Sequence, residues 1–329
     1  MNAADVETGA APSDEPLPTK KVQRPVVLRH RVQYAALRAV FGAFGTLGFH
    51  RASDLGARLG RLAMAAGLRR SVVERQIAAC FPHWKPEQVQ ACALGAYESL
   101  GRTSVETAML SRCTKEEILD LFDQCNSWDV IESGMTEGKG IILVTGHLGN
   151  WELTGAYMAA RGAPMEAITR QQENPLFDSY ITRTRERFGM KVIHDADAVR
   201  RVPRALRRGT PVAIVIDQGA AGLASTWVPF FGRWAKTPRG AATFAARLGS
   251  PIVFITALRK PDGRFNIHFE PVPFRLTGKK DDDVDRIMAD CTAVLERWVR
   301  RYPEQYFWHH RRWKHQRPGT PPELGNPLA

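Results

Sequence analysis

The chain has 329 residues, enough for one large domain or two modest ones, and 44% of them are hydrophobic, which supports a substantial core. Lys and Arg outnumber Asp and Glu by 46 to 34, and the resulting charge of +12 suits nucleic acid, anionic lipid headgroups or an acidic carrier protein. The five scattered cysteines, Cys80, Cys92, Cys113, Cys125 and Cys291, contain no Cys-x-x-Cys, which argues against a disulfide framework or a zinc site and favours a reducing compartment.

Residues 1–18 are acidic, rich in Pro and Ala, and lack an apolar centre, so they read as part of a disordered tail (residues 1–25) rather than a secretory signal. The apolar stretch 39–49 follows the basic residues Lys20, Lys21, Arg24, Arg29 and Arg31. It is too short for a transmembrane helix, which needs about 20 residues. A membrane-surface anchor, a shallowly inserted helix and an ordinary core helix all fit it. Residues 30–112 carry helical spacing throughout, interrupted at Phe81-Pro82, so that 26–112 reads as one helical region. Thr114 and Glu117 make a capping box for a short helix, and another helix is expected near 128–137.

From residue 141 strands and helices alternate. Strands are expected at 141–145, 165–169, 191–194, 212–216, 251–257 and 265–269. Helices are expected at 151–160, 176–188, 198–208, 238–248 and 284–301. This alternation predicts an α/β fold with a mostly parallel central sheet flanked by helices, preceded by the N-terminal helical region. The α/β core spans 113–315, and the Pro- and Gly-rich residues 316–329 read as a frayed tail.

Chemistry concentrates where the first strong strand ends. Gly146 allows a tight exit, His147 lies in the strand-to-helix turn, and Asn150 is a good N-cap for a helix that places Glu152 in its first turn. With His147 in the turn, the Glu152 carboxylate could fold back onto one imidazole nitrogen and leave the other to deprotonate an alcohol. Taken alone, a His near a Glu is more often a hydrogen-bonded structural residue. Gly-His-x-x-x-x-Glu, however, resembles the signature of the lipid A biosynthesis lauroyl/myristoyl acyltransferase family. Three further motifs in order strengthen the resemblance, which covers about residues 70 to 315: Arg170 with Asn174-Pro175, Asp217-Gln218 with Val228-Pro-Phe-Phe-Gly232, and the basic aromatic run 305–314.

The resemblance implies an O-acyltransferase that moves a fatty acyl chain from an acyl thioester, on acyl carrier protein or CoA, to a hydroxyl of a membrane glycolipid such as a lipid A precursor. It implies His147 as general base with Glu152 as its partner, a membrane-associating role for the helical region 26–112, and a place at the cytoplasmic face of an inner membrane. Arg170 or backbone N–H groups at 146–149 would meet the charge on the tetrahedral oxygen. Asp217 would orient Arg170 or contact the acceptor beside Gln218, and Asn174 would belong to the substrate-binding set. Phe230 and Phe231 would line an acyl channel, Arg239 would contact a headgroup, and Arg311 and Arg312 would meet phosphate or the membrane surface. No cofactor is called for. No metal is suggested either, since His147 has no second His three to five residues away.

Two rivals fit parts of the same sequence. The charge and the run 305–314 would suit a nucleic-acid-binding protein, but the basic residues are dispersed and no recognised motif is present, so no nucleic acid is expected. An α/β hydrolase would need a Gly-x-Ser-x-Gly elbow, which the chain lacks.

Overall fold

The computed structural model describes residues 25–136, 138–219 and 223–328. The expected N-terminal tail, with Lys20, Lys21 and Arg24, lies outside them apart from residue 25. Four helices open the described chain: α1 (Leu28–Phe44), α2 (Phe49–Ala65), α3 (Arg70–Cys80) and α4 (Pro86–Met109). The apolar stretch 39–49 is not one helix. It is split between the end of α1 and the start of α2, with Gly48 at φ +73° before α2. Among the described residues no helix is long and apolar enough to cross a membrane.

Helices α2 and α4 approach at backbone distance. A Cβ on Gly101 would lie 2.1 Å from the Gly56 carbonyl oxygen, so side chains are excluded at the crossing. Val73 and Ile77 of α3, with Val89, Ala93 and Tyr97 of α4, join one buried cluster with residues of the central sheet. The helical front therefore shares its core with the layer behind it.

The chain continues through α5 (Lys115–Asp120), β1 (Phe122–Asn126), α6 (Asp129–Thr136), β2 (Ile142–Thr145), α7 (Trp151–Ala160), β3 (Met165–Thr169), α8 (Pro175–Arg187), β4 (Met190–His194), α9 (Ala198–Arg207) and β5 (Val212–Val215). An antiparallel hairpin follows, β6 (Ser225–Phe230) and β7 (Arg233–Pro238). Then come α10 (Gly240–Leu248), β8 (Ile252–Arg259), β9 (Phe265–Pro271) and α11 (Lys280–Arg301). The seven-stranded sheet has the order β1-β9-β8-β2-β5-β3-β4, and every pairing is parallel except β8 with β9. The expected α/β class and mostly parallel sheet hold.

Two elements differ from the sequence reading. Strand β1 was not anticipated; its Phe-Asp-Gln-Cys-Asn is polar because it is an edge strand, buried mainly at Phe122. Residues 228–232 belong to a hairpin for which no strand was expected. Phe231 at φ +51° and Gly232 at φ +72° form the two-residue turn, and positive φ at both positions matches the twist of the flanking strands.

The fold positions the site by strand register. Thr145 of β2 pairs with Val215 of β5. In a parallel pair, residues at equal offsets past the last rung emerge side by side, so the residues two positions on, His147 and Asp217, are brought together at the carboxyl edge of the sheet.

Candidate active site

His147 leaves β2 on a loop whose backbone is tied to its surroundings at several points. Its N–H donates to Asp217 Oδ2 at 2.8 Å, and its carbonyl accepts from the Phe307 N–H at 2.9 Å. The Gly149 N–H donates to the Gln305 carbonyl at 3.0 Å, and the Asn150 N–H to the Ala257 carbonyl at 3.0 Å. Gly149, at φ +62°, has no room for a side chain, since a Cβ would sit 2.0 Å from the Ala257 oxygen. Asn150 caps α7 by accepting from the Leu153 N–H at 2.9 Å. The N–H groups of His147, Gly149 and Asn150 thus have internal partners and are not free to stabilise an oxyanion.

The imidazole is held from one side. His147 Nδ1 lies 2.7 Å from Asp217 Oδ1. Asp217 is buried, and burial alone would raise its pKa. The His147 charge and its two hydrogen bonds, with Arg312 beyond, instead bring it down to about 2. An ionised carboxylate can only accept, so Nδ1 carries the proton and Nε2 presents its lone pair. The Gln218 amide nitrogen is 3.3 Å from Nε2. Trp151 and Phe307 flank the ring at centroid distances of 4.8 and 5.7 Å. The side chain of His147 keeps 19% of its surface exposed, against 3% for Asp217. The imidazole is therefore reachable and its carboxylate partner is not.

Asp217, rather than Glu152, is the carboxylate on His147. Glu152 faces α8, where Arg185 grips it in a two-point ion pair, Nε to Oε2 at 3.0 Å and a terminal nitrogen to Oε1 at 2.5 Å. Burial would lower the Arg185 pKa, but the Glu152 charge and hydrogen bonds raise it. A planar guanidinium offers a carboxylate two parallel charge-assisted bonds, more than a single ring nitrogen can provide. The pair ties α7 to α8 and fixes the helix that follows the loop.

The other expected site residues separate. Gln218 stands at the imidazole. Arg170 emerges at the same sheet edge after β3, two strands away from β2, and is exposed; Asp217 holds His147 and not Arg170. Asn174 caps α8, accepting from the Leu176 and Phe177 N–H groups and donating to the His30 carbonyl at 3.0 Å. Phe230 is fully buried and Phe231 nearly so. They pack on Trp313 and Trp308 in the main core. Arg239 pairs with Asp281 of α11 at 2.6 Å.

Arg311 is exposed, whereas Arg312 is buried. Arg312 donates to the Lys236 carbonyl at 2.8 Å and to Thr237 Oγ1 at 2.5 Å, so it faces the hairpin and not a membrane. The aromatic run folds back over the site because its backbone pairs with the His147 loop, through the Leu148–Tyr306 bridge and the Phe307 bond. Burial, and then the neighbouring Asp217 charge, push the Tyr306 phenol well above its usual pKa. Sequence reasoning missed Tyr306, Phe307 and Arg185 as parts of the site. The density of aromatics at 306–308 signalled burial as much as an interface.

Beside the α2–α4 crossing lies a cavity of about 700 Å³, apolar at Leu59, Ala63, Leu68, Leu100, Val105 and Phe307 and polar at Arg69, Ser104, His309 and His310. Phe307 belongs both to this wall and to the surroundings of the His147 ring. The cavity and His147 therefore share Phe307 as a wall.

The sequence profile of the family described as bacterial lipid A biosynthesis acyltransferase matches residues 23–315. A lipid A biosynthesis palmitoleoyltransferase of Escherichia coli (strain K12) is 28% identical over 263 residues, 79% of this chain and 84% of that protein. A lipid A biosynthesis lauroyltransferase of the same organism is 28% identical over 270 residues, 81% of this chain and 86% of that protein. A phosphatidylinositol mannoside acyltransferase of Mycolicibacterium smegmatis (strain ATCC 700084 / mc(2)155) is 19% identical over 221 residues, 66% of this chain and 67% of that protein.

Proposed function

The chain belongs to the bacterial lipid A biosynthesis acyltransferase family and is an acyltransferase, and from that premise we propose that it moves a fatty acyl chain from a thioester to a hydroxyl of a lipid A-type glycolipid. The observation that carries this reading is the His147 imidazole, with Nδ1 on Asp217, Nε2 beside Gln218, and Phe307 as a neighbour that also lines a largely apolar cavity. A cavity of this size and character suits a hydrocarbon chain.

In this reading the acceptor hydroxyl takes the hydrogen-bonding position that the Gln218 amide occupies near Nε2. Nε2 removes the hydroxyl proton as the oxygen attacks the thioester carbonyl carbon. The buried Asp217 carboxylate stabilises the imidazolium that results. The tetrahedral intermediate collapses, the C–S bond breaks, and the thiolate takes the proton back from Nε2. Exposed Arg170, at the same edge, is the candidate counter-charge for the substrate. Glu152 acts through Arg185 on the setting of α7 rather than on the imidazole.

The donor is an acyl carrier protein or CoA, and an acidic carrier matches the +12 charge. Exposed Leu28 and Val32 of α1 and Leu59 and Leu62 of α2 stand beside exposed Arg29, Arg31, Arg51 and Arg58. Apolar side chains interleaved with cations suit a protein seated on an anionic membrane surface, in keeping with work at the cytoplasmic face of an inner membrane. A mannosylated phospholipid is the second acceptor to try, because one relative is named for that substrate class.

The test supplies purified protein with radiolabelled acyl carrier protein and either a lipid A precursor or a mannosylated phospholipid. Label entering the lipid with wild type, and not with His147→Ala, supports the reading. Transfer that persists undiminished in His147→Ala overturns the mechanism. Absence of transfer to either lipid overturns the assigned acceptor class.

A further inference from the structure

We propose that Glu106, on α4, is a positioning residue that holds the His147 loop in its reactive setting. The inference rests on the acyl-transfer reading above for its kinetic test and on the geometry alone for its origin. Glu106 has no exposed surface, yet it sits on a helix far from the sheet edge in sequence. Its two oxygens collect donors from three directions. Ser53 Oγ of α2 approaches Oε1 at 2.5 Å, the Arg259 guanidinium at the end of β8 spans both oxygens, and Asn150 Nδ2 reaches Oε2 at 2.7 Å.

The Asn150 bond sets the loop. An amide side chain has a donor end and an acceptor end, and Glu106 can engage only the donor end. That leaves Oδ1 directed to the Leu153 N–H as the cap of α7. With its backbone N–H also held by Ala257, Asn150 is clamped at three points. One turn earlier on α4, Thr103 Oγ1 reaches the Gly149 carbonyl at 3.4 Å. On the far side, the Gln305 side chain brackets Arg259 through its N–H and carbonyl, both at 2.9 Å, while the Gln305 carbonyl takes the Gly149 N–H. Glu106, Arg259, Gln305 and Asn150 thus form a closed frame around Gly149-Asn150. His147 is the next polar side chain along the loop.

A buried ion pair is weak ground for a stability role, because apolar replacements often hold a fold as well or better. What the pair supplies here is direction: it fixes which way the Asn150 amide points and where the loop ends. Misplacing a reacting group by about 1 Å can cost ~10²-fold in rate. The expected effect of breaking the frame is a fall in kcat of that order with KM little changed, since Glu106 touches no substrate.

Two variants test this. Asn150→Ser keeps a capping oxygen for α7, as Ser and Asn cap about equally well, and removes only the bridge to Glu106. Glu106→Met/Arg259→Met removes the frame without leaving a lone buried charge. Thermal unfolding, steady-state kinetics and the NMR resonance of the His147 Nδ1–H proton, assigned with His147→Gln, are read for each. We expect near-wild-type unfolding of Asn150→Ser, with kcat down ~10²-fold and the Nδ1–H resonance shifted or broadened. Wild-type kcat and an unchanged resonance in a folded Asn150→Ser overturn the proposal. Recovery of both in the double variant would make Glu106 purely structural and overturn it as well. If wild type itself transfers no acyl group, the acyl-transfer reading fails, while the resonance still decides the positioning claim.

Discussion

Replacing Asp217 with Asn removes one charge and almost no volume from the centre of the site, and it separates the two carboxylates that compete for the role of His147's partner. Asp217 accepts from both the Nδ1–H and the backbone N–H of His147, at 2.7 and 2.8 Å. An asparagine has one acceptor oxygen and can keep only one of these bonds. If the oxygen stays on the backbone, the amide N–H₂ faces Nδ1, the proton moves to Nε2, and the base is lost. A wrong tautomer of this kind costs about 10⁴ in kcat in a serine protease triad, and a fall of ~10³–10⁴ is expected here. Stability carries a second signature. The carboxyl is at about 2 in the fold against an ordinary 3.8, a difference equivalent to roughly 2 kcal/mol. Because the folded value is the lower one, this stabilisation is present above about pH 4 and is lost as the pH falls towards 2. The Asn variant lacks that acid-side slope. Glu152→Gln serves as the contrast: it weakens the Arg185 ion pair but leaves the His147–Asp217 geometry, so its loss of activity is expected within ~10². Transfer rates of the two variants, with urea unfolding from pH 2 to 7, decide the matter. Near-wild-type activity in Asp217→Asn, or a larger loss in Glu152→Gln, refutes the assignment of Asp217 as the orienting group.

Three further outcomes follow from the same coordinates. Burial holds His309 and His310 at about 4, so between about pH 6.5 and 4 the unfolded chain takes up protons that the fold refuses. Stability should fall with acidification there by up to about 1.4 kcal/mol per pH unit per histidine, and His309→Phe should flatten the slope seen in urea titrations. Gly101→Ala drives a methyl group to 2.1 Å from the Gly56 oxygen, which forces α2 and α4 apart; a loss of about 1–3 kcal/mol is expected in chemical denaturation, and no loss would mean the crossing is not close-packed. Leu100→Trp fills the cavity beside Phe307 and should depress transfer of long acyl chains more than short ones in a competition assay. An equal effect on every chain length would remove the cavity from the acyl path.

How much of this was legible in the sequence depends on whether the information is local. The strand ending at Thr145, the Asn150 cap and the parallel alternation are written in short-range patterns, and the structure reproduces them. The register that pairs Thr145 with Val215 is a long-range property, so the sequence assigns Asp217 to Arg170 or the acceptor and not to His147. Strand β1 is too polar to carry an alternation signal, because only one of its residues is deeply buried. The hairpin turn at Phe231-Gly232 lacks the usual Asn-Gly or Asp-Gly. A phenylalanine at φ +51° is sustained there by contacts from α11, with Glu296 accepting its N–H at 2.6 Å and Arg300 lying over its ring at 4.3 Å.

Glu152 shows the limit most sharply. A carboxylate in the first turn of a helix, five residues after a histidine, is compatible with two partners, and spacing alone favours the nearer one in sequence. Arg185 lies 33 residues away but belongs to the helix packed alongside, and its two-point grip outcompetes a single imidazole bond. The same competition leaves the imidazole to Asp217, whose backbone and ring contacts to one residue are set by adjacent strands. Charge partners in a parallel α/β site are chosen by sheet order more than by chain distance. The C-terminal aromatic run obeys the same rule: Tyr306 and Phe307 lie more than 150 residues from His147 in sequence, yet the bridge to Leu148 makes them its walls.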